Sequence, residues 1–194
     1  MKKPIGLTLL SAALCAAAPA GAMTLKEQSI DVPGFADFLV VDGDTVWTTN
    51  DGRVEQWAVD GKKASVEVPR PCGTMAIAFG SLWVANCKGG DVYRIDPKTK
   101  EVLAKIPAGL GPSGELNVVA GAGYIWAPNE TAGTIARIDP ATNAVVASIN
   151  VAASSPVAVA NHHGWSAGEV SITAFRPRTS ASSRSPVSRA SQPR

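Results

Sequence analysis

A tryptophan recurs along this chain of 194 residues at nearly constant spacing, and this repeat constrains the fold more than any other feature. Spacings of 36, 43 and 39 residues separate Trp47, Trp83, Trp126 and Trp165. The first three are followed, three residues later, by an asparagine: Asn50, Asn86 and Asn129. Repeats of about 40 residues are typical of architectures in which each unit buries its apolar surface against its neighbours.

Each repeat divides into four short segments with the alternating apolar and polar pattern of a half-buried strand. In the second unit we predict strands over 74–79, 82–86, 91–95 and 101–106, with a hairpin turn at Gly80-Ser81. In the third unit we predict strands over 116–120, 124–128, 134–138 and 144–149. After residue 22 no stretch keeps the period of an amphipathic helix, so we expect an all-β chain.

Four strands in each repeat predict the blade of a β-propeller. Three four-stranded blades are clear. The fourth is degenerate, because Arg176 stands where Asp96 and Asp139 follow the third strand of earlier units. We expect those aspartates to cap the turn into the fourth strand. The repeated tryptophans are expected to fill the space between blades, and stacking against a ligand is the alternative. The prediction is a partial or open propeller.

The two ends of the chain differ from the repeats. Residues 1–22 form a predicted signal peptide, with Lys2 and Lys3, an apolar run over 5–18 and small residues at 20–22. A buried N-terminal helix is the alternative. Residues 178–194 are rich in Ser, Arg and Pro, a composition that predicts disorder. The repeat domain therefore spans 23–177, without a membrane span, and we expect a periplasmic or secreted protein.

Export changes the interpretation of the cysteines. Once the signal peptide is removed, Cys72 and Cys87 remain, and an oxidising compartment favours a bond between them. Folding the hairpin about Gly80-Ser81 places the two residues opposite each other. A catalytic or metal-binding pair of thiols is the alternative, but neither residue has a histidine nearby in the sequence. We predict a structural disulfide.

Charge is distributed unevenly along the chain. Residues 171–194 contain five arginines and no acidic residue, whereas residues 23–170 carry 11 basic and 16 acidic side chains. The sequence pI of about 8.5 therefore reflects the two ends of the chain. We expect no nucleic-acid partner, because the repeat domain itself is acidic.

Two sequence elements resemble the repeats of a known group of propellers. They are Leu82-Trp83-Val84-Ala85-Asn86, and the pattern Arg-Ile-Asp-Pro-x-Thr at 94–99 and 137–142. Over about residues 27–176 the chain resembles the YVTN-type and virginiamycin B lyase-like (streptogramin lyase) repeat family. This resemblance implies a ring that usually has seven blades. Three clear blades and a degenerate fourth are fewer than seven. Our hypothesis is that the chain is a truncated or frame-shifted reading of a longer propeller gene.

The segment 27–32 reads as the fourth strand of a blade whose first three strands are missing. It could pair with 171–175 and close a ring of four blades. Alternatively the molecule is an open arc, which we favour because the fourth blade is poor. An open arc leaves two apolar blade faces uncovered and favours oligomers through those faces.

For the lyases, the resemblance implies magnesium-dependent elimination with histidine and glutamate side chains in later blades, including a Glu-x-His pairing. Here His162, His163 and Glu169 do not match that motif. We therefore assign no catalytic or metal-ligating residue. We interpret His162 and His163 as ordinary loop histidines.

The loops on one face of the propeller offer candidate ligand-binding residues. A ligand would meet Asn50, Asp51, Asn86, Lys88, Asn129 and Glu130, together with the glycine-rich loop 109–114. The alternative is that each asparagine only satisfies the backbone of its own turn.

Two functions remain open. The first is a scaffold that binds a small molecule, peptide or protein on the propeller face, without a cofactor. The second is a magnesium-dependent streptogramin B (virginiamycin B) lyase, a carbon–oxygen lyase acting by C–O elimination.

Overall fold

In a computed structural model the chain is described over residues 26–112, 115–129, 132–151, 157–160, 163–167 and 172–175. These segments form antiparallel strands and no helix. Blade one contains β1 to β4, over Leu39–Asp42, Thr45–Asn50, Arg53–Ala58 and Gly61–Glu67. Blade two contains β5 to β8, over Ala76–Ala78, Ser81–Asn86, Asp91–Ile95 and Val102–Pro107.

The second half of the chain repeats this pattern. Blade three contains β9 to β12, over Val119–Gly121, Tyr124–Asn129, Thr134–Asp139 and Ala144–Asn150. Blade four contains β13 to β15, over Val157–Ala160, His163–Ala167 and Ile172–Phe175. Within each blade the strands pair in chain order, and the first strands of successive blades contact one another. This arrangement confirms a partial β-propeller with a degenerate fourth blade.

The predicted strands of blades two and three agree with the observed ones except at the inner strands. Strand β5 is shorter than predicted, and the hairpin turn is formed by Phe79-Gly80, because Ala78 pairs with Ser81. The prediction of a turn at Gly80-Ser81 is therefore wrong by one residue. Both turn residues have positive φ, 52° and 69°, as a two-residue type I′ turn requires. Ser81 is buried and belongs to β6.

The repeated tryptophans pack between the blades. Trp47, Trp83 and Trp126 have no exposed surface. Trp47 belongs to an apolar cluster with Leu82 and Val84 of blade two, and Trp83 to a cluster with residues of blade three. Trp126 packs with Val157 and Phe175 of blade four. The prediction of a core role is confirmed at these three positions.

Trp165 differs from the other three tryptophans. It occupies the same position on the second strand of its blade, but 46% of its surface is exposed. The physical reason is that Trp165 is on the face of blade four that points away from blade three, where no further blade covers it in the part of the chain that the structure describes.

Cations cover the tryptophans and connect neighbouring blades. Arg94 lies over the ring of Trp83, and its Nη1 donates to Pro140 O at 2.6 Å and to Asn143 Oδ1 at 2.8 Å, in blade three. Lys100 lies over the ring of Trp47 in the same way, and its Nζ donates to Gln56 Oε1 at 2.5 Å. These contacts fix the positions of neighbouring blades.

The aspartates of the Ile-Asp-Pro elements cap the turn into the fourth strand, as predicted. Asp96 Oδ1 accepts hydrogen bonds from the backbone N–H groups of Lys98 and Thr99, at 2.7 and 3.1 Å. These two N–H groups lower the pKa of Asp96. Asp139 Oδ1 accepts from Ala141 N at 2.8 Å. The repeated acid is therefore architectural.

Cys72 and Cys87 form the predicted disulfide, with their Cα atoms 6.0 Å apart. The bond joins the segment that leads into β5 to the residue after β6. A bridge between Pro71 and Asn86 continues this contact. Disulfides of this kind persist in oxidising compartments, which supports a location outside the cytoplasm. The signal peptide and the tail over 178–194 lie outside the described residues and stay predictions.

The N-terminal segment does not close the ring. Residues 26–38 form no strand, and the hydrogen bonds of Gln28 Nε2 to Val59 O (2.8 Å) and of Asn50 Nδ2 to Pro33 O (2.9 Å) hold the segment on blade one. In the described residues β15 pairs with β14 alone. The pairing of 27–32 with 171–175 is therefore not formed, and the open arc is what the structure shows. None of the described residues forms a helix that could cross a membrane.

Replacing both Cys72 and Cys87 by serine is expected to lower the free energy of unfolding by about 3 kcal/mol. The bond joins residues 15 positions apart, and its loss restores the entropy of that loop in the unfolded chain. Urea denaturation of the variant and of the oxidised protein measures the difference. The reduced wild-type protein is the control and should behave like the variant. Equal midpoints for the variant and the oxidised protein would contradict the structural role.

Candidate functional site

The turns that follow the second strands of the first three blades lie at one edge of the propeller, beside the segments that connect the blades. In each of these turns the asparagine of the repeat is buried. Its side chain joins the turn to the segment leading into the same blade. The predicted candidates on this face can be followed one blade at a time.

Asn50 makes four hydrogen bonds in blade one. Its Oδ1 accepts from Phe35 N and from Asp51 N, both at 2.8 Å. Its Nδ2 donates to Pro33 O at 2.9 Å and to Glu55 Oε2 at 3.0 Å. A side chain at Gly34 would collide with Asn50 Oδ1, and this glycine also has a φ of 107°. The backbone of residues 33–35 therefore packs closely around the side-chain amide of Asn50.

The equivalent asparagines of blades two and three are held in similar positions. Asn86 Oδ1 accepts from Arg70 N at 3.0 Å, and its Nδ2 donates to Asp91 Oδ1 at 2.7 Å. Asn129 donates to Gly109 O and accepts from Ala132 N. These contacts hold each asparagine against the segment that leads into its blade, and those of Asn50 and Asn129 also reach the backbone of their own turns. A role in ligand binding stays a prediction.

A cavity of about 280 Å³ opens at this edge, between the turn of blade one and the segment leading into blade two. Of the predicted candidates, Asn50 and Asp51 line it, whereas Asn86, Lys88 and Asn129 do not. Glu130 lies outside the described residues. The walls also contain residues that the sequence did not single out as ligand-binding candidates, namely Phe35, Asp37, Phe38, Thr49, Gly52, Pro69, Arg70, Pro71, Cys72, Gly73 and Glu115.

The charged groups of this cavity come from three blades. Asp37 and Asp51 belong to blade one, Arg70 to the segment that leads into blade two, and Glu115 to the segment that leads into blade three. All four are exposed, and no ion pair joins them in the part of the chain that is described. Arg70 Nη1 instead donates to Pro112 O at 2.7 Å. Three carboxylates against one guanidinium make the cavity acidic.

A signal for the missed residues exists in the sequence. Arg70 and Glu115 lie in connections between a fourth strand and the next first strand, and Asp37 lies in the corresponding segment before β1. In a propeller these segments meet at one edge. The exact set could not be predicted, because it depends on how far each connection extends over the neighbouring blade.

A buried carboxylate supports the wall of the cavity. Glu55, on β3, has 1% of its surface exposed. Its Oε1 accepts from Arg53 Nε at 2.8 Å and from Lys62 Nζ at 3.1 Å, and its Oε2 accepts from Asn50 Nδ2 and from Trp57 Nε1. Burial alone would raise the pKa of Glu55, but the hydrogen bonds from Arg53, Asn50 and Lys62 outweigh it and lower the pKa to about 2.

His163, one of the two histidines considered for the lyase hypothesis, is not at this edge. His163 is the first residue of β14, half-buried, and its ring lies 6.5 Å from that of Trp165. His162 and Glu169 fall outside the described residues. Within those residues no group of three or more His, Cys, Asp and Glu side chains could hold a metal ion.

Comparison with known proteins supports the fold. No protein-family pattern and no curated protein sequence matches the chain. A solved streptogramin B lyase structure is 14% identical, with a TM-score of 0.56, over 74% of this chain and 55% of that one. Hydrazine synthase from Kuenenia stuttgartiensis is 18% identical, with a TM-score of 0.62, over 80% of this chain and 49% of that one.

The computationally designed protein Ika4 is 12% identical, with a TM-score of 0.62, over 75% of this chain and 93% of that one. The chain spans about half the length of the streptogramin B lyase structure. Similarity at these identities shows the β-propeller fold alone. The YVTN-type family stays a resemblance, and the lyase activity stays a hypothesis.

The free energy of unfolding is expected to fall as the pH is lowered from about 5 to about 2. A carboxyl group whose pKa is about 2 in the folded state and 4.5 in the unfolded state stabilises the fold above pH 4.5 and loses that contribution as the pH falls through 2. The difference corresponds to about 3 kcal/mol. Glu55→Gln should remove this part of the pH dependence, as measured by urea denaturation at several pH values.

Glu101→Gln is the matched control, because Glu101 is an exposed glutamate on the neighbouring blade. It should keep the pH dependence of the wild-type protein. A Glu55→Gln variant with the same pH dependence as the wild-type protein would show that Glu55 is not the group responsible.

Proposed function

We propose that this protein is an exported β-propeller scaffold that binds a small molecule, or one side chain of a peptide, carrying a cationic group beside an aromatic or aliphatic group. The observation that carries the proposal is the acidic cavity between blades one and two. The scaffold itself needs no cofactor for this role.

The size of the cavity supports a small ligand. Ligand pockets in proteins usually have volumes of about 300–1,000 Å³, and this cavity, at about 280 Å³, lies near the lower limit. Phe35 and Phe38 provide apolar surface, while the side chains of Thr49, Asp51 and Arg70 provide polar groups. A ligand with one apolar and one charged end fits this mixture.

The charge of the walls supports a cation. Asp37, Asp51 and Glu115 carry carboxylates that no basic side chain of the described protein neutralises by an ion pair, and Arg70 is drawn towards Pro112. A primary amine or a guanidinium entering the cavity would meet an excess of negative charge. The chemistry favours cations over anions of the same size.

The walls of the cavity are held in place before any ligand arrives. Glu55 fixes Asn50, and Asn50 fixes Phe35 and Asp51 through their backbone N–H groups. On the opposite wall the disulfide of Cys72 fixes the segment 69–73. A prearranged site lowers the entropy lost on binding.

Binding can be tested with 2-phenylethylamine as the cationic probe and 2-phenylethanol as its neutral counterpart. In a two-dimensional NMR titration we expect the amine to shift the amide signals of residues 49–52, 70, 72, 73 and 115, and to bind more tightly than the alcohol. Asp51→Asn and Glu115→Gln should each weaken the binding of the amine about two- to fivefold, the effect of losing one exposed charge pair.

Asp44→Asn is the control for charge, because Asp44 is an exposed acid in the turn between β1 and β2, at the opposite edge of blade one. It should leave the affinity unchanged. Equal affinity for the amine and the alcohol, or signal shifts only outside the cavity, would contradict the proposed function.

A further inference from the structure

Every interface between neighbouring blades joins the same two kinds of face. The first, the donor face, carries the tryptophan of the second strand and apolar residues at and just beyond the end of the fourth strand, such as Trp47, Val66 and Val68 in blade one. The second, the receiver face, belongs to the next blade. In blade two it consists of residues on its first three strands and the segment before them, and it contains Met75, Ile77, Leu82, Val84, Tyr93 and Ile95.

One unpaired donor face lies at the end of blade four. Trp165 is 46% exposed, whereas the three equivalent tryptophans are fully buried. Ile172, on the adjacent strand β15, is 73% exposed. Ala167 pairs with Ile172, and Trp165 pairs with Ala174, so these residues share one face of the sheet. This face has the composition of a donor face, and no described residue forms a receiver face against it.

Within residues 26–175, as far as the structure describes them, one unpaired receiver face lies at the beginning of blade one. Val40 pairs with Trp47 as Ala76 pairs with Trp83, so Leu39 and Val41 occupy the positions of Met75 and Ile77. Leu39 and Val41 are 63% and 61% exposed, whereas Met75 is 5% exposed. The residue position that is buried between blades one and two is therefore exposed to solvent on the free face of blade one.

The two ends also differ by one strand. Blade four has three strands in the described residues, and each other blade has four. The N-terminal sequence Ile30-Asp31-Val32-Pro33 matches Val66-Glu67-Val68-Pro69 at a distance of 36 residues, the same distance that separates Trp47 from Trp83. The second of these sequences includes the end of the fourth strand of blade one. The N-terminal segment thus has the sequence of a fourth strand without a blade.

The position of this segment agrees with its sequence. Gln28, Ile30 and Val32 lie over the receiver face of blade one and line a cavity of about 290 Å³ together with Val46 and Trp57. Val66 and Val68 lie over the receiver face of blade two in the corresponding way. The segment is therefore already where the fourth strand of a preceding blade would lie.

We propose that two copies of this chain join head to tail. Blade four of one copy stacks its donor face on the receiver face of blade one of the other. The N-terminal segment 27–33 of that second copy then pairs with β15 as the missing fourth strand. The contact is made twice, and the two arcs of four blades close into a ring of eight, within the range of known propellers.

A second copy explains both ends at once. Each face has the register and the apolar character of an interface that the chain already forms three times. A contact between two donor faces would leave Leu39 and Val41 exposed. The added strand also provides backbone hydrogen bonds to the free edge of β15, the usual mode of β-strand addition.

Size-exclusion chromatography with light scattering tests the proposal on the full chain. The wild-type protein should have twice the mass of one chain. Trp165→Asp and Leu39→Asp should each weaken association at least tenfold and give monomers. Val146→Asp is the matched control, because Val146 is 45% exposed on β12, away from both ends of the arc, and it should remain a dimer.

Mixing the two interface variants identifies the geometry. In an equal mixture of the two variants, the unchanged donor face of the Leu39→Asp chain can meet the unchanged receiver face of the Trp165→Asp chain. The mixture should therefore form a heterodimer through this one intact interface. If Trp165→Asp alone gives a monomer and Leu39→Asp remains a dimer, the two copies meet through their donor faces and the proposal is wrong. A monomeric wild-type protein, or an open-ended polymer, also overturns it.

Hydrogen exchange on the unmodified protein provides a test that no substitution can disturb. The amides of 27–32 should become more protected as the protein concentration is raised through the association range. Protection that is independent of concentration would contradict pairing with a second copy. Because Asp37 lines both the cavity near Asp51 and the cavity beneath the N-terminal segment, the exchange is measured without added ligand.

Discussion

The burial of one tryptophan per blade against the next blade is the interaction on which the rest of this structure depends. A single sheet of four short strands cannot cover its own apolar faces, so its stability has to come from its neighbours. Trp47, Trp83 and Trp126 provide this contact, and a cation above the first two rings also binds the neighbouring blade. The arc is held together by one type of interface used three times.

A second set of contacts fixes the edge where the candidate site lies. The buried asparagines Asn50, Asn86 and Asn129 connect the turn after the second strand to the segment that enters the blade. Because these amides are engaged within the protein, binding chemistry is left to the exposed groups beside them. In blade one this separation is clear, since Asn50 is buried and the neighbouring Asp51 lines the cavity.

The features that follow from periodicity could be predicted from the sequence. The strands of blades two and three, the role of three tryptophans, the capping by Asp96 and the disulfide all depend on local patterns or on a single hairpin.

The turn at Phe79-Gly80 could not be placed as well, because phenylalanine with positive φ gives no compositional signal. Glu55 was not predicted either, since its four partners meet only after the sheet has formed. The cavity brings together connections from three blades, whose paths depend on tertiary contacts.

Chemical denaturation of two tryptophan variants tests most directly whether burial between blades holds the fold. At a protein concentration below the association range, Trp83→Ala should lower the free energy of unfolding by about 3–5 kcal/mol, because it opens a cavity between blades two and three. Trp165→Ala should lower it by less than about 1 kcal/mol under the same conditions, because its side chain is already exposed to solvent. Equal losses for the two variants would contradict the account.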